Sequence, residues 1–347
     1  MARNAAFWAP EHHAARRPRL LARARIVKAL RGFFEREGFM EIEPSALQVS
    51  PGNETHISGF ATHYEPLGGA ATPYYLHSSP EFDCKKLLAA GETRIFSLAH
   101  VFRNGERTRL HHPEFTMLEW YRAEAPYRAL INDCAAVLRA AAQAAGVMEF
   151  RFGKYRLDPF AAPEILPVTE AFSRYAGIDL PSMLDDRDAL AREAARLGLR
   201  VSADDHWSDL FSKIMSEKIE NNLGHGRATV LIDYPASEAA LARRKPEDSR
   251  FAERFELYGC GVELANAFGE LTDPVEQRRR FEADMAERMR IYGSAFPIDE
   301  DFLAALALMP PASGAALGFD RLVMLATGAA HIEDVLWAPT AAPRERA

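Results

Sequence analysis

The sequence predicts an α+β fold, an antiparallel β-sheet flanked by helices. Strand-like runs come as neighbours joined by a turn or loop, the clearest being 94–103 and 115–121, and do not alternate with helices as parallel units would. Long helical periods stand between such runs at 20–36, 127–146 and 274–292. Finally, 48% apolar and 26% charged residues provide for a packed core and exclude global disorder.

In chain order, Ile26, Val27, Leu30, Phe33 and Phe34 recur at helical spacing within 20–36, and residues 1–19 form an N-terminal extension before that helix. Gly38 ends it. Residues 39–43 read as a short strand stopped by Pro44, which lacks the N–H a ladder needs. The stretch 51–73 is a loop with short strands, 74–77 a strand and 81–90 a helix. The runs at 94–103 and 115–121 form a hairpin whose polar connection, 104–114, is long enough to carry function. After the Ala-rich helix 127–146, helices at 166–176, 186–197 and 209–223 form an insertion around 166–223. Residues 228–233 and 255–268 are strand-like, and 274–292 is a charged helix. A Gly/Ala strand at 314–320 then runs into an apolar helix at 322–326.

The 42 basic and 49 acidic residues give a formal charge of −7, which does not suit a chain whose main task is to grip nucleic acid. Arg16, Arg17, Arg19, Arg23, Arg25, Lys28, Arg31 and Arg36 form a local basic cluster, read as the solvated face of the first helix. No stretch reaches the roughly 18 apolar residues of a membrane span, and the N-terminus, with Arg3, Arg16 and Arg17, lacks a signal-peptide core. A cytoplasmic protein without a membrane partner is expected. Cys84, Cys134 and Cys260 show no C-x-x-C spacing and read as buried thiols.

Three segments join strand pattern to buried-type charge. Arg103 ends one strand of the hairpin, and Phe115, Glu119 and Tyr121 lie on its return. Glu256, Glu263 and Glu270 recur in apolar surroundings. Gly318-Phe319-Asp320-Arg321 delivers a second arginine at a helix start. Arginines facing carboxylates across a sheet suit a polyphosphate, with a divalent metal held by glutamate.

These segments resemble the signatures of class II aminoacyl-tRNA synthetases. Residues 102–121 are similar to the second motif, 314–325 to the third and 20–44 to the first. The wording His112-Pro113-Glu114-Phe115-Thr116-Met117-Leu118-Glu119-Trp120-Tyr121 and Glu263-Leu264-Ala265-Asn266-Ala267-Phe268 is of the lysyl type. The resemblance implies ATP and Mg2+ as cofactors, with catalytic Arg103 and Arg321. Its ATP-binding set is Arg103, Asn104, Gly105, Glu106, His111, His112, Pro113, Phe115, Glu263, Leu264, Gly318 and Arg321. Phe115 and Arg321 sandwich adenine, and Glu256 and Glu263 hold the metal. Ser79, Pro80, Glu81, Glu119, Tyr121, Asn266, Glu270 and Ala316 bind the amino acid, with Glu119, Tyr121 and Glu270 at its distal ammonium. The first motif implies a homodimer.

Two positions depart from the lysyl pattern. Gly105 stands where that pattern has Glu, and Glu106 is expected to substitute through the flexibility of Gly105. His112 stands where Asn is usual. The residues before the first helix are too few for the anticodon-reading barrel of lysyl-tRNA synthetases, so one catalytic domain over 20–340 without an anticodon-binding domain is expected. That architecture resembles the lysyl-synthetase paralogues that attach (R)-β-lysine to elongation factor P. Ala316, where the tRNA-charging enzymes have glycine, agrees with a shifted amino group. The resemblance thus implies elongation factor P as protein substrate, (R)-β-lysine or lysine as amino acid, and no tRNA. The alternatives are a stand-alone core that acylates tRNA, a non-catalytic regulatory paralogue, and an amide ligase with a small acceptor.

Overall fold

The computed structural model describes residues 6–341, so Arg3 lies outside the described residues. Helix α1 (Pro10–Arg36) buries Leu20, Ile26, Leu30 and Phe34 along one stripe. It begins at Pro10, earlier than the apolar period shows, because proline fits the first helical position, where no N–H is needed. Strand β1 (Met40–Glu41) follows, then β2 (Leu47–Gln48), β3 (Phe60–Tyr64) and β4 (Thr72–Leu76), which pair as a small antiparallel sheet. Helix α2 (Glu81–Ala89) precedes the expected hairpin of β5 (Arg94–Phe102) and β6 (Glu114–Ala123), in register from Arg94 opposite Arg122 to Phe102 opposite Glu114.

Helix α3 (Ala129–Ala145) leads to a small hairpin, β7 (Phe150–Phe152) and β8 (Tyr155–Leu157), which the sequence pattern does not announce. Residues 164–167 form β9 (Glu164–Pro167), so the helix expected from 166 starts later, as α4 (Val168–Ala176). Helix α5 (Arg187–Arg196) is capped by the Asp186 carboxylate, which accepts from the Ala189 N–H at 2.8 Å. Helix α6 (Trp207–Ile214) passes into a π turn at Met215–Ile219. After β10 (Thr229–Ile232) come β11 (Arg254–Gly259) and β12 (Val262–Gly269), read from sequence as one run. Cys260 at φ 55° and Gly261 at φ 72° make the left-handed turn that separates them. Helices α7 (Pro274–Tyr292) and α8 (Glu300–Leu306), strand β13 (Ala312–Gly318) and helix α9 (Phe319–Thr327) complete the chain.

The main sheet has eight strands in the order β1-β5-β6-β13-β12-β11-β10-β9. Its centre is antiparallel as expected, while the two edge pairs, β1 with β5 and β10 with β9, are parallel. One face is buried by α1, α3 and α9, with Ile26, Phe34, Leu118, Trp120, Val137, Leu317 and Leu322 in one apolar cluster. Each such side chain contributes about 1.5–3 kcal/mol on burial. The insertion has its own cluster, around Phe172, Leu190, Phe211 and Ile219. The opposite face of the central strands is left for a cavity.

The basic cluster on α1 is only partly a solvated face. Arg16 is 2% and Arg23 8% exposed. Arg16 donates to the Leu336 carbonyl. Arg23 pairs with Asp320 and donates to Thr116 Oγ1 at 2.7 Å, and the second oxygen of Asp320 accepts the Thr116 N–H at 2.7 Å. These contacts tie α1 to β6 and to the start of α9. The three cysteines are buried free thiols. Among the described residues no helix is long and apolar enough to cross a membrane.

Candidate active site

The period of two along each central strand builds the cavity. On β6, Phe115, Met117, Glu119 and Tyr121 line it while Leu118 and Trp120 enter the core. On β13, Gly314, Ala316 and Gly318 form its floor, with Leu317 facing the core. The floor is low because its side chains are almost absent: a Cβ on Gly314 would collide with the Tyr121 ring and Glu270 Oε1. Strand β12 contributes Glu263, Leu264, Asn266 and Phe268, and Glu270 follows its end. About 1120 Å³ of space, open to solvent, lies between these walls.

At one end stand the arginines. The Arg103 guanidinium lies 5.3 Å from the centre of the Phe115 ring. Arg321 donates to the Glu263 carbonyl at 2.9 Å and through Nη2 to His111 Nε2 at 2.7 Å. Desolvation, together with the charges of Arg321 and Arg103, holds His111 below the usual histidine range. A neutral ring then accepts from Arg321 and turns its Nδ1–H to Thr108 Oγ1, 2.7 Å away. His112, 1% exposed, is turned by a 2.6 Å Nδ1–H bond to the Glu114 carbonyl, leaving a buried Nε2 unpartnered. Gly105 at φ 83° is a left-handed position where glycine is favoured, and Glu106 after it reaches the cavity wall.

At the other end stand the acids. Glu119, fully buried, accepts from Ser79 Oγ at 2.5 Å and Tyr121 Oη at 2.8 Å. Ser79 Oγ accepts in turn from the Glu81 N–H at 3.0 Å, tying the start of α2 to β6. Burial, and next the charge of Glu81, push Glu119 up to about 8. Burial also raises Glu270 to about 7, against the opposing pull of Lys85. Register makes Ala316 the neighbour of Glu119 on one side and of Asn266 on the other, so its methyl sits between them. The Asn266 amide oxygen is buried without a partner at this wall.

Of the expected site residues, Ser79, Glu81, Arg103, Glu106, His111, His112, Phe115, Glu119, Tyr121, Glu263, Leu264, Asn266, Glu270, Ala316, Gly318 and Arg321 all line this cavity. Pro80, Asn104, Gly105 and Pro113 do not. They shape the chain beside it: Pro80 precedes α2, the Asn104 N–H donates to the Ser58 carbonyl at 2.7 Å, and the Pro113 carbonyl accepts from the Arg103 N–H at 2.9 Å. Glu256 lines a neighbouring cavity with Glu220, Tyr234 and Arg254. Sequence reasoning missed Glu54 at the main wall, Glu220, and the buried Lys85.

Residues 11–342 match the family described as tRNA synthetases class II (D, K and N). The chain belongs to this family. It is 41% identical over 337 residues to an elongation factor P–(R)-β-lysine ligase of Sodalis glossinidius, covering 96% of this chain and 97% of the relative. A ligase of the same name from Proteus mirabilis is 40% identical over 324 residues, 92% of this chain and 94% of the relative. A lysine–tRNA ligase of Pelotomaculum thermopropionicum is 36% identical over 326 residues, 93% of this chain and 63% of the relative.

The carboxylates fit the metal that the family implies. Glu263 has a side chain 39% exposed, and Arg321 approaches it at 3.5 Å. Glu256 accepts from Tyr234 Oη at 2.5 Å, Tyr258 Oη at 2.6 Å and Arg254 at 2.6 Å, which fixes its orientation. Desolvation and then the charge of Glu256 raise Glu220, to about 7, and Glu263. Among the described residues no group of three or more ligating side chains converges on one point. Magnesium suits such a site, since it takes one or two carboxylates and completes its shell with phosphate oxygens and water.

Proposed function

We propose that this chain is an AMP-forming ligase. It activates (R)-β-lysine, or lysine, with ATP as an aminoacyl-adenylate and transfers the acyl group to the ε-amine of a lysine of elongation factor P. The observation that carries this reading is the reciprocal, nearly end-to-end match to ligases of that name, at 96% of this chain and 97% of the relative. The cavity supports it, with arginines and a phenylalanine at one end for a nucleotide and, at the other, the buried Glu119 and Glu270 and the half-buried Glu81 for a diamino acid.

In the first step an oxygen of the amino-acid carboxylate attacks the α-phosphorus, the bond to the β-phosphate oxygen breaks, and pyrophosphate leaves. Arg103 stabilises the charge on the α-phosphate as the phosphorus becomes pentavalent. Phe115 and Arg321 hold adenine between them, Arg321 and His111 meet the far phosphates, and Glu106 contacts the nucleotide from the hairpin loop. Glu256 and Glu263 would hold magnesium, which would neutralise phosphate charge when bound. Asn266 meets the amino-acid carboxylate, Glu81 the nearer ammonium, and Glu119 and Glu270 the distal one. In the second step a deprotonated lysine amine attacks the adenylate carbonyl, the bond to the phosphate breaks, AMP leaves, and the nitrogen loses its proton to form the amide. No protein nucleophile takes part, so catalysis is positioning and electrostatics.

The test incubates the protein with ATP, magnesium and either lysine isomer, offering elongation factor P or tRNA. A mass increase on the protein acceptor is expected; acylation of tRNA alone overturns the reading. That outcome would favour a stand-alone lysyl-tRNA synthetase core, which the 36% identity to a lysine–tRNA ligase makes the second reading. The homodimer is proposed on the apolar side chains exposed on α1, β1 and β2, Leu21, Met40 and Leu47. Sedimentation as a stable monomer would refute it.

A further inference from the structure

The acidic end of the cavity holds one more charged side chain, which the two steps above leave unused. Lys85 follows Glu81 by one turn of α2 and is 1% exposed. Its Nζ lies 2.6 Å from Glu81 Oε1 and 2.7 Å from Glu270 Oε2. Both carboxylates line the cavity and Lys85 does not. The ammonium therefore stands behind them, where an incoming ligand does not touch it. Burying an unpaired ammonium costs several kcal/mol, so the two short ion pairs are what keep it there.

We propose that Lys85 is a positioning residue that sets the charge and orientation of the amino-acid pocket for a ligand with two ammonium groups. The inference rests on the diamino-acid reading of the same site. With a bound ligand holding Glu81, Glu119 and Glu270 ionised, the three acids against one fixed ammonium leave two negative charges, which two ligand ammoniums neutralise. Lys85 takes one oxygen from each of Glu81 and Glu270, so each carboxylate is turned with its other oxygen free of that pair, Glu270 Oε1 lying over Gly314.

The other charged and titratable groups facing this cluster do not supply the same cation. Tyr121 and Glu119 face it from β6, and Cys84 from α2. Glu54 faces Glu81 from the loop before β3. Arg243 faces Glu270 but is paired with Glu253 at 2.6 Å, and Lys86 is paired with Asp299 at 2.8 Å. Without Lys85 the neighbouring carboxylates repel one another, and protonation of one removes a partner from the ligand.

The experiment measures lysine-dependent ATP–pyrophosphate exchange against pH for the wild type and K85M, K85R, E270Q and K85M/E270Q, with ATP affinity and melting recorded for each. For K85M, ATP affinity is retained, KM for the diamino acid rises about tenfold, and the acid limb of kcat/KM moves up by about one pH unit. K85R moves both back toward wild type. A folded K85M with the wild-type KM and acid limb overturns the inference. If K85M does not fold, the double variant decides: E270Q alone has lost one negative charge, so removing Lys85 as well restores the charge balance. Tighter lysine binding by K85M/E270Q than by E270Q is expected, and equal or weaker binding overturns the inference. A wild type with neither lysine- nor β-lysine-dependent exchange would instead refute the function proposed above.

Discussion

Ala316 and Glu119 are the single residues at which the proposed selectivity of the cavity can be tested. The Ala316 methyl lies between Glu119 and Asn266, so A316G is expected to raise the use of α-lysine relative to β-lysine. One methyl discriminates by about 1–3 kcal/mol. Exchange assays with both isomers check it, and an unchanged preference removes the role. Glu119, raised to about 8, is mostly protonated at neutral pH in the empty pocket and must ionise to pair with an ammonium. KM for lysine should therefore fall as pH rises toward about 8, and E119Q should lose that dependence. Side chains such as Phe115, Glu119 and Tyr121 were legible because a period of two places them on one face. Lys85 was not, since a lysine four residues after a glutamate on a short helix reads as a surface pair; only the tertiary fold brings Glu270, just beyond β12, against it.

Among elements, strand β13 and helix α1 carry the clearest consequences. G314A is expected to push Tyr121 and Glu270 out of place and to weaken amino-acid binding more than ATP binding, as separate titrations of the two ligands would show. Helix α1 reaches the site through Arg23, whose pair with Asp320 is 10% and 1% exposed at the two side chains. Removing one partner of a buried pair costs about 3–5 kcal/mol, so R23M should lower the melting temperature, and a melt within a degree of wild type would refute the role. The β5–β6 hairpin was legible from alternation and from its polar connection. The parallel edge strand β9 was not, because Glu164–Pro167 is too short to show a period and runs directly into helix α4. The buried arginines of α1 escaped notice for a related reason: in an Arg-rich helix, sequence spacing does not tell which guanidinium meets Asp320.

For the whole molecule, the same carboxylates link the site to stability. An acid whose folded pKa lies above its unfolded value holds more protons in the native state, so stability falls as pH rises between the two values. For Glu119 that window runs from about 4.5 to about 8. The ligand-free protein should melt at lower temperature toward the top of this window, and E119Q should flatten the slope. If E119Q melted with the same slope as wild type, Glu119 would not be the source. The central sheet also acts as a gauge. Glu119, Ala316 and Asn266 occupy three adjacent strands in register, so the backbone positions of the two proposed anchors for the amino acid are two strand spacings apart, about 9–10 Å. Backbone hydrogen bonds fix that Cα span, and the Glu119 and Asn266 side chains reach into the cavity from its two ends. On the proposed reading, ornithine, one methylene shorter than lysine, is expected to bind more weakly than lysine, and equal affinities in a binding titration would refute this role of the sheet.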